Sequence, residues 1–263
     1  MAAFEGSPKK PWREICICKG TDGVEARGGS SITPTSAGLL AFGGADRNQQ
    51  AMNDVLLGEI PESGARLRMS NWKTKETSGD VPQPRSGHAC VAYGKHLFLF
   101  GGIDFAEEST FNDLYVLNLE TWVWGYVGEA GVEIEARNSH SLGIISGFNS
   151  EGEKVDYLVL YGGASVEKGP LGDTFYAVLP KEESALDEDT FFVTWEECKA
   201  SPAPRPREMH GTCLYSEAEA EAEGAKSMLV SGGRGLDGVY DDVWELYCEE
   251  AGLQWRLRPD LTL

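Results

Sequence analysis

The side chains of this 263-residue chain best able to hold a metal or act as nucleophiles are four histidines and six cysteines, and their spacing suits neither task. Cys16, Cys18, Cys90, Cys198, Cys213 and Cys248 form no Cys-x-x-Cys pair, and no histidine follows at zinc-ligand distance. Cys16 and Cys18 alternate along a strand and would share a face, but two thiols do not make a metal site. The expectation for the cysteines is small, buried, reduced side chains, with Cys90 and Cys213 in matching strands of two repeats. His88, His140 and His210 each follow an arginine by three residues, a placement that repeats instead of converging, and His96 sits on the strand after His88. The stretch "GGRGLDG" lacks the Lys-Ser/Thr ending of a phosphate loop. Carboxylates abound without a defensible acid/base couple. No catalytic residue, metal ligand or cofactor is assigned.

The elements that carry these residues repeat. "LLAFGG", "FLFGG", "LVLYGG" and "MLVSGG" end at glycine pairs beginning at Gly43, Gly101, Gly162 and Gly232, 58 to 70 residues apart. An arginine precedes each strand group, at Arg27, Arg85, Arg137 and Arg207. Three residues on stand Ser30, His88, His140 and His210. An aspartate follows each glycine pair, at Asp54, Asp113, Asp173 and Asp242, and a tryptophan closes each unit, at Trp72, Trp122 or Trp124, Trp195 and Trp255. From arginine to first glycine is 16 residues in two repeats and 25 in the others; the difference falls in the first hairpin and marks a surface loop. Each unit therefore reads as four antiparallel strands, a to d. Strand b is apolar without alternation, so both its faces are buried, as in a sheet stacked between sheets. The glycines supply positive φ at its end, and tryptophan on strand d supplies an apolar plate.

Glycine pair, Arg-x-x-His, Asn-Asp and strand-d tryptophan together resemble the kelch repeat, over residues 27–258. The resemblance implies an all-β propeller in a single domain, 1–263, of four complete four-stranded blades near 27–76, 85–127, 137–198 and 207–258. An extra d strand at 12–18 carries Trp12, so a partial or irregular ring is expected. Enzymes similar to kelch propellers include copper oxidases, mutarotases and iron-dependent specifier proteins. The histidines here leave no spare pair for copper, and the iron motif has no match. A propeller enzyme of the mutarotase or oxidase type remains the alternative function.

The favoured function is non-catalytic: an adaptor or scaffold that binds a protein. Seven of the twelve arginines fall in d–a or b–c connections, which share one side of an up-down ring. Arg47, Arg85, Arg137, Arg205, Arg207 and Arg234, with Asp104 and Phe105, are the partner-binding candidates; Trp124 or Tyr126 could add an apolar anchor. Kelch domains similar to this one bind acidic motifs or free C-termini with such arginines, so an acidic peptide or C-terminus is the expected partner, gripped bidentately. The motif arginines Arg27, Arg85, Arg137 and Arg207 have a second reading, as ties between blades. The opposite side should be acidic, through Glu151, Glu153, Asp156, the 217–223 tract and "KEESALDEDT". A net charge of −19 disfavours nucleic acid and anionic membrane as partners. With no apolar run near eighteen residues and no secretory signal, the expected location is cytoplasmic.

Overall fold

The computed structural model describes residues 16–17, 25–58, 68–69, 72–148, 152–188, 191–215, 227–249 and 252–261. Trp12, Glu151 and the acidic tract 217–223 lie outside the described residues. A short strand β1 (Cys16–Ile17) comes first. Blade one is β2 (Ser31–Thr35), β3 (Gly38–Phe42), β4 (Val55–Gly58) and, beyond β5 (Arg68–Met69), β6 (Lys73–Lys75). After β7 (Ser78–Gly79), blade two is β8 (Ala89–Tyr93), β9 (His96–Asp104), β10 (Ser109–Asn118) and β11 (Val123–Gly131). Blade three is β12 (Ser141–Phe148), β13 (Lys154–Tyr161), a small hairpin of β14 (Ala164–Ser165) and β15 (Gly169–Pro170), then β16 (Thr174–Val178) and β17 (Phe192–Glu197). Blade four is β18 (Gly211–Tyr215), β19 (Ser227–Ser231), a hairpin of β20 (Arg234–Gly235) and β21 (Gly238–Val239), then β22 (Val243–Glu249) and β23 (Gly252–Leu257).

Within every blade the four strands pair antiparallel in chain order. The blades stack as in a β-propeller, with inner strands β2, β8, β12 and β18 neighbouring one another in that order. The outer rim carries a second kind of pairing. Residues leaving one blade run parallel to strand d of the next: β7 beside β11, and Gly128–Gly131 beside Phe192–Trp195. Strand d of blade two therefore runs past its expected end at 127, and blades two and three share one continuous sheet. The N-terminal β1 makes the same kind of parallel pair with β5.

The non-alternating strand b explains itself in β9, whose nine residues are all buried. Leu97 and Leu99 face blade one, in a cluster with Leu40, Phe42 and Trp124. Phe98 and Phe100 face blade three, in a cluster with Ile144, Leu158 and Trp195. A third cluster, with Tyr157, Val159 and Tyr161 against Met228 and Trp255, joins blades three and four. The glycine pairs exist because the next blade's arginine carbonyl rests on them. At Gly101, φ is 62° and an added Cβ would lie 2.8 Å from the Arg137 oxygen.

Of the cysteines whose burial is described, Cys90, Cys198 and Cys248 are half-buried where burial was expected. Desolvation pushes the Cys90 thiol up to about 12. Cys213 is exposed instead. It lies on β18, which no other blade among the described residues covers on its outer side, and four of that strand's five residues are exposed.

Candidate functional site

The rim of d–a and b–c connections is built by short backbone bridges. Gly28 pairs with Ala45, Ser86 with Ile103, Asn138 with Ala164 and Glu208 with Arg234, tying each d–a loop to the b–c loop of its own blade. The sequence places arginines in both kinds of loop, so the bridges bring them to one side of the molecule.

These arginines then divide into two sets. Arg85, Arg137 and Arg207 have no exposed surface at all. The Nη1 of Arg85 donates to Asp113 Oδ1 at 2.5 Å and to the Gly101 carbonyl at 3.0 Å, while Nη2 donates to Asp113 Oδ2 at 3.0 Å. Arg137 repeats this with Asp173 and Gly162, and Arg207 with Asp242 and Gly232. Arg27 does the same with Asp54 and Gly43. The Arg207 bonds hold the Asp242 carboxyl below its ordinary range. The Nε of Arg85 also donates to the Gln83 carbonyl at 3.0 Å, so four of its five N–H groups are spent on a half-buried carboxylate and two carbonyls. Arg85, Arg137 and Arg207 are thus ties within blades and not surface groups, which corrects their place among the partner-binding candidates.

Arg47, Arg205 and Arg234 form the exposed set. Arg47 stands at the tip of the first b–c loop, whose turn Asp46 closes by accepting from the amides of Asn48 and Gln50 at 2.7 and 2.9 Å. Arg205 pairs with Asp237 at 2.8 Å and stacks on the Tyr240 ring at 4.4 Å. Arg234 reaches Glu208 at 2.9 Å. The latter two pairs are solvent-accessible and can exchange carboxylates at little cost.

Asp104 is buried and caps the β9–β10 turn, accepting from the Ala106 and Glu107 amides at 3.0 and 3.4 Å. It positions Phe105, which is 53% exposed. Two further apolar tips escaped the sequence reading: Val166 on the blade-three hairpin, 72% exposed, and Leu236 on the blade-four hairpin, 89% exposed. The usable signal was an apolar residue at the centre of a short polar b–c loop. Trp124, considered above as an anchor, is buried; its ring meets Phe42 edge-on at 5.4 Å. Tyr126 is exposed.

The motif histidines are structural. His88 and His140 set their ring edges against Phe42 and Phe100 at 5.2 and 5.5 Å, and the His210 ring lies tilted against Tyr161 at 5.2 Å. Burial pushes His88 down to about 3 and His210 to about 4, and holds His140 well below its ordinary value. On the opposite rim the short helical turn Glu183–Asp187 reaches across from blade three. Glu183 and Asp187 flank the buried ring of His96 at 3.1 and 2.8 Å, beside a cleft of about 730 Å³ bordered by Lys95, Asn118, Tyr126 and Phe191. Among the described residues no group of three or more His, Cys, Asp or Glu is placed to hold a metal ion, and no helix is long and apolar enough to cross a membrane.

Comparison with known proteins agrees with this architecture. Residues 9–150 match the family model described as the KLHDC2/KLHL20/DRC7 Kelch-repeats domain. Kelch domain-containing protein 2 of Bos taurus is 32% identical over 161 residues, covering 60% of this chain and 34% of that protein. Kelch domain-containing protein 1 of Mus musculus is 32% identical, over 56% of this chain and 32% of its own. An F-box/kelch-repeat protein of Arabidopsis thaliana is 28% identical over 87% of this chain and 44% of its own length. The chain thus spans 32% to 44% of the length of these three relatives. It belongs to the kelch-repeat family.

Proposed function

We propose that the chain is a non-catalytic adaptor or scaffold that holds an acidic peptide or C-terminus on the d–a/b–c rim. Kelch domains act in protein–protein interaction, and the rim has the groups such a partner needs. The observation that carries the reading is the separation of the arginines into a buried set and an exposed set. Arg47, Arg205 and Arg234 stand out to solvent beside the apolar tips Phe105, Val166 and Leu236. Guanidinium groups would take carboxylates bidentately, and the tips would bury against the partner's apolar side chains. On a strongly acidic protein these cations would also select the docking side. The free thiols of Cys90, Cys198, Cys213 and Cys248 suit a reducing compartment, so we place the adaptor in the cytoplasm.

The test is affinity capture from native lysate with the wild type and with the Arg47→Glu/Arg234→Glu double variant, followed by partner identification. Loss of the captured protein in the variant, and its release by rising salt, is the expected result. Capture that is unchanged by both would remove the rim assignment.

A further inference from the structure

His96 is buried in a different way from the three motif histidines. Its ring has no exposed surface, yet carboxylates surround it where the others meet aromatic faces. Nδ1 stands 3.1 Å from Glu183 Oε1, and Nε2 stands 2.8 Å from Asp187 Oδ1. Other donors fix both oxygens as acceptors. The Lys95 backbone N–H donates to the same Glu183 oxygen at 2.5 Å. The Asn118 side-chain N–H donates to the same Asp187 oxygen at 2.6 Å. The orientation of that amide is fixed in turn, because Asn118 Oδ1 accepts from the backbone N–H groups of Glu120 and Thr121 at 2.8 and 3.0 Å. Facing two acceptors, both ring nitrogens must donate. Only the imidazolium carries two N–H groups; a neutral ring would aim one lone pair at a carboxylate.

The charged groups around the ring come from both sides of a blade junction. From blade two come Lys95 and Glu120, paired at 3.3 Å, and Tyr93, which lies opposite His96 across the β8–β9 hairpin. From blade three come Glu183, Asp187 and Asp156, the last accepting from the Tyr93 hydroxyl at 2.9 Å. Lys95 Nζ also lies 3.8 Å from Asp187 Oδ2. With the ring protonated, it and Lys95 together face Glu120, Asp156, Glu183 and Asp187. With the ring neutral, Lys95 faces them alone. Desolvation, the largest single influence on Asp187, opposes its charge, yet the bonds from His96 and Asn118 hold its carboxyl below the ordinary range.

Glu183 and Asp187 are the two ends of one short helical turn in the c–d connection of blade three. Blade two leaves room for that turn at Gly94, where φ is 55° and an added Cβ would fall on the Glu183 carboxylate. Between the two acids, Leu186 is buried with Val116 and Val127 in the cluster that joins blades two and three. These three side chains also border the cleft of about 730 Å³. The turn is thus a strap: its apolar residue forms part of the cleft wall, and its two acids grip one ring.

We propose that His96 is a proton-operated clasp between blades two and three. As the imidazolium it locks the turn Glu183–Asp187 onto strand β9. Loss of its proton leaves a carboxylate facing a bare nitrogen, so the turn loosens and the cleft widens. Raising the pH therefore opens this clasp, whereas the three motif rings, whose charged forms burial opposes, are disturbed by acid.

Heteronuclear NMR of the isotope-labelled protein tests this. At about pH 6 both ring nitrogens of His96 should resonate as protonated, while His88, His140 and His210 each show one protonated and one bare nitrogen. As the pH is raised to about 9 the two His96 nitrogens should diverge, and the backbone amides of residues 184–187 should move with the same midpoint. His96→Gln, which has no proton to lose in this range, should abolish the movement of those amides. Because a change at a buried ring can unfold the protein, Asp187→Asn gives a second reading from the accessible side. It removes one of the two gripping charges, so the ring and the turn should shift together to a lower midpoint than in the wild type. A His96 ring with a bare nitrogen at about pH 6, turn amides that do not follow the ring, or an Asp187→Asn midpoint that stays in place overturns the proposal.

Discussion

The outward face of blade two and the outward face of blade four are the same surface of the same repeat, and they are built from opposite materials. Blade two presents Phe98, Phe100 and Val116 to its neighbour, all buried. Blade four has Leu229, Ser231 and Glu245 in the same register. Glu245 is buried as well, but by a polar cover: it accepts from Ser227 at 2.7 Å and from Arg256 at 2.8 Å, and pairs with Arg258, which holds Asp260 at 2.8 Å and lies over the Tyr215 ring. The bonds from Arg256, Ser227 and Arg258 keep the Glu245 carboxyl below its ordinary range against the opposing effect of burial, which is the largest single influence. The face of blade two gains its stability from apolar area shared with the next sheet, whereas the polar groups on the face of blade four satisfy one another.

Exchanging the two materials gives the largest expected effect. Phe100→Ser puts the blade-four residue into the junction of blades two and three, where the side chain meets His140 and Trp195. Losing the buried ring should cost about 3–5 kcal/mol, the range for Phe truncation in cores, before any penalty for the new hydroxyl. Urea unfolding measures it. A loss below about 1 kcal/mol would mean that the blade junction is not close-packed.

Acid should separate the two kinds of face next. His88, His140 and His210 stand at internal junctions with values depressed by burial, chiefly desolvation, and are neutral when folded. The unfolded chain binds protons near pH 6.5 and the folded chain does not, so stability rises with pH through this range. The contribution is complete above about 6.5 and is lost as pH falls toward 4 and 3. Each pH unit below 6.5 should cost up to about 1.4 kcal/mol per buried ring. Urea midpoints at neutral and mildly acidic pH should therefore differ strongly, and His210→Gln should reduce the slope. A midpoint that does not move would sink the assignment of neutral buried rings.

The difference between faces also marks what could be read from residue order. The repeat, the four-stranded blades and the structural position of three histidines were legible because glycine pairs and Arg-x-x-His recur where backbone geometry demands them. The roles of the arginines were not. Arg207 and Arg234 both lie in loops of the same rim, and only coordinates show the first spent on Asp242 and the second lying out toward Glu208. Exposure of Cys213 was missed because its strand reads like that of Cys90; what differs is that no other blade among the described residues covers its outer side. Parallel pairing of Gly128–Gly131 with Phe192–Trp195 joins segments far apart in sequence and leaves no local pattern.

A smaller effect tests the histidine junctions from the favourable side. His140 occupies the same slot as His88 and His210, yet both its ring nitrogens are buried without a partner. The cause is Ala89, which stands where Ser31 and Ser141 supply hydroxyls to the other two rings. Ala89→Ser should restore the missing bond and stabilise by about 0.5–1.5 kcal/mol, a typical net gain for one hydrogen bond. An unchanged or lower urea midpoint would show that the hydroxyl cannot reach the ring.

The smallest expected change is on the outer face of blade four. Ser231→Ala deletes a buried hydroxyl that has no partner among the described residues. The change should be neutral or stabilising by up to about 1 kcal/mol, because the desolvation cost of the hydroxyl disappears with it. Urea midpoints of wild type and variant measure it. A variant less stable than the wild type would show that this hydroxyl is bonded and that the two faces do not differ in the way their side chains suggest.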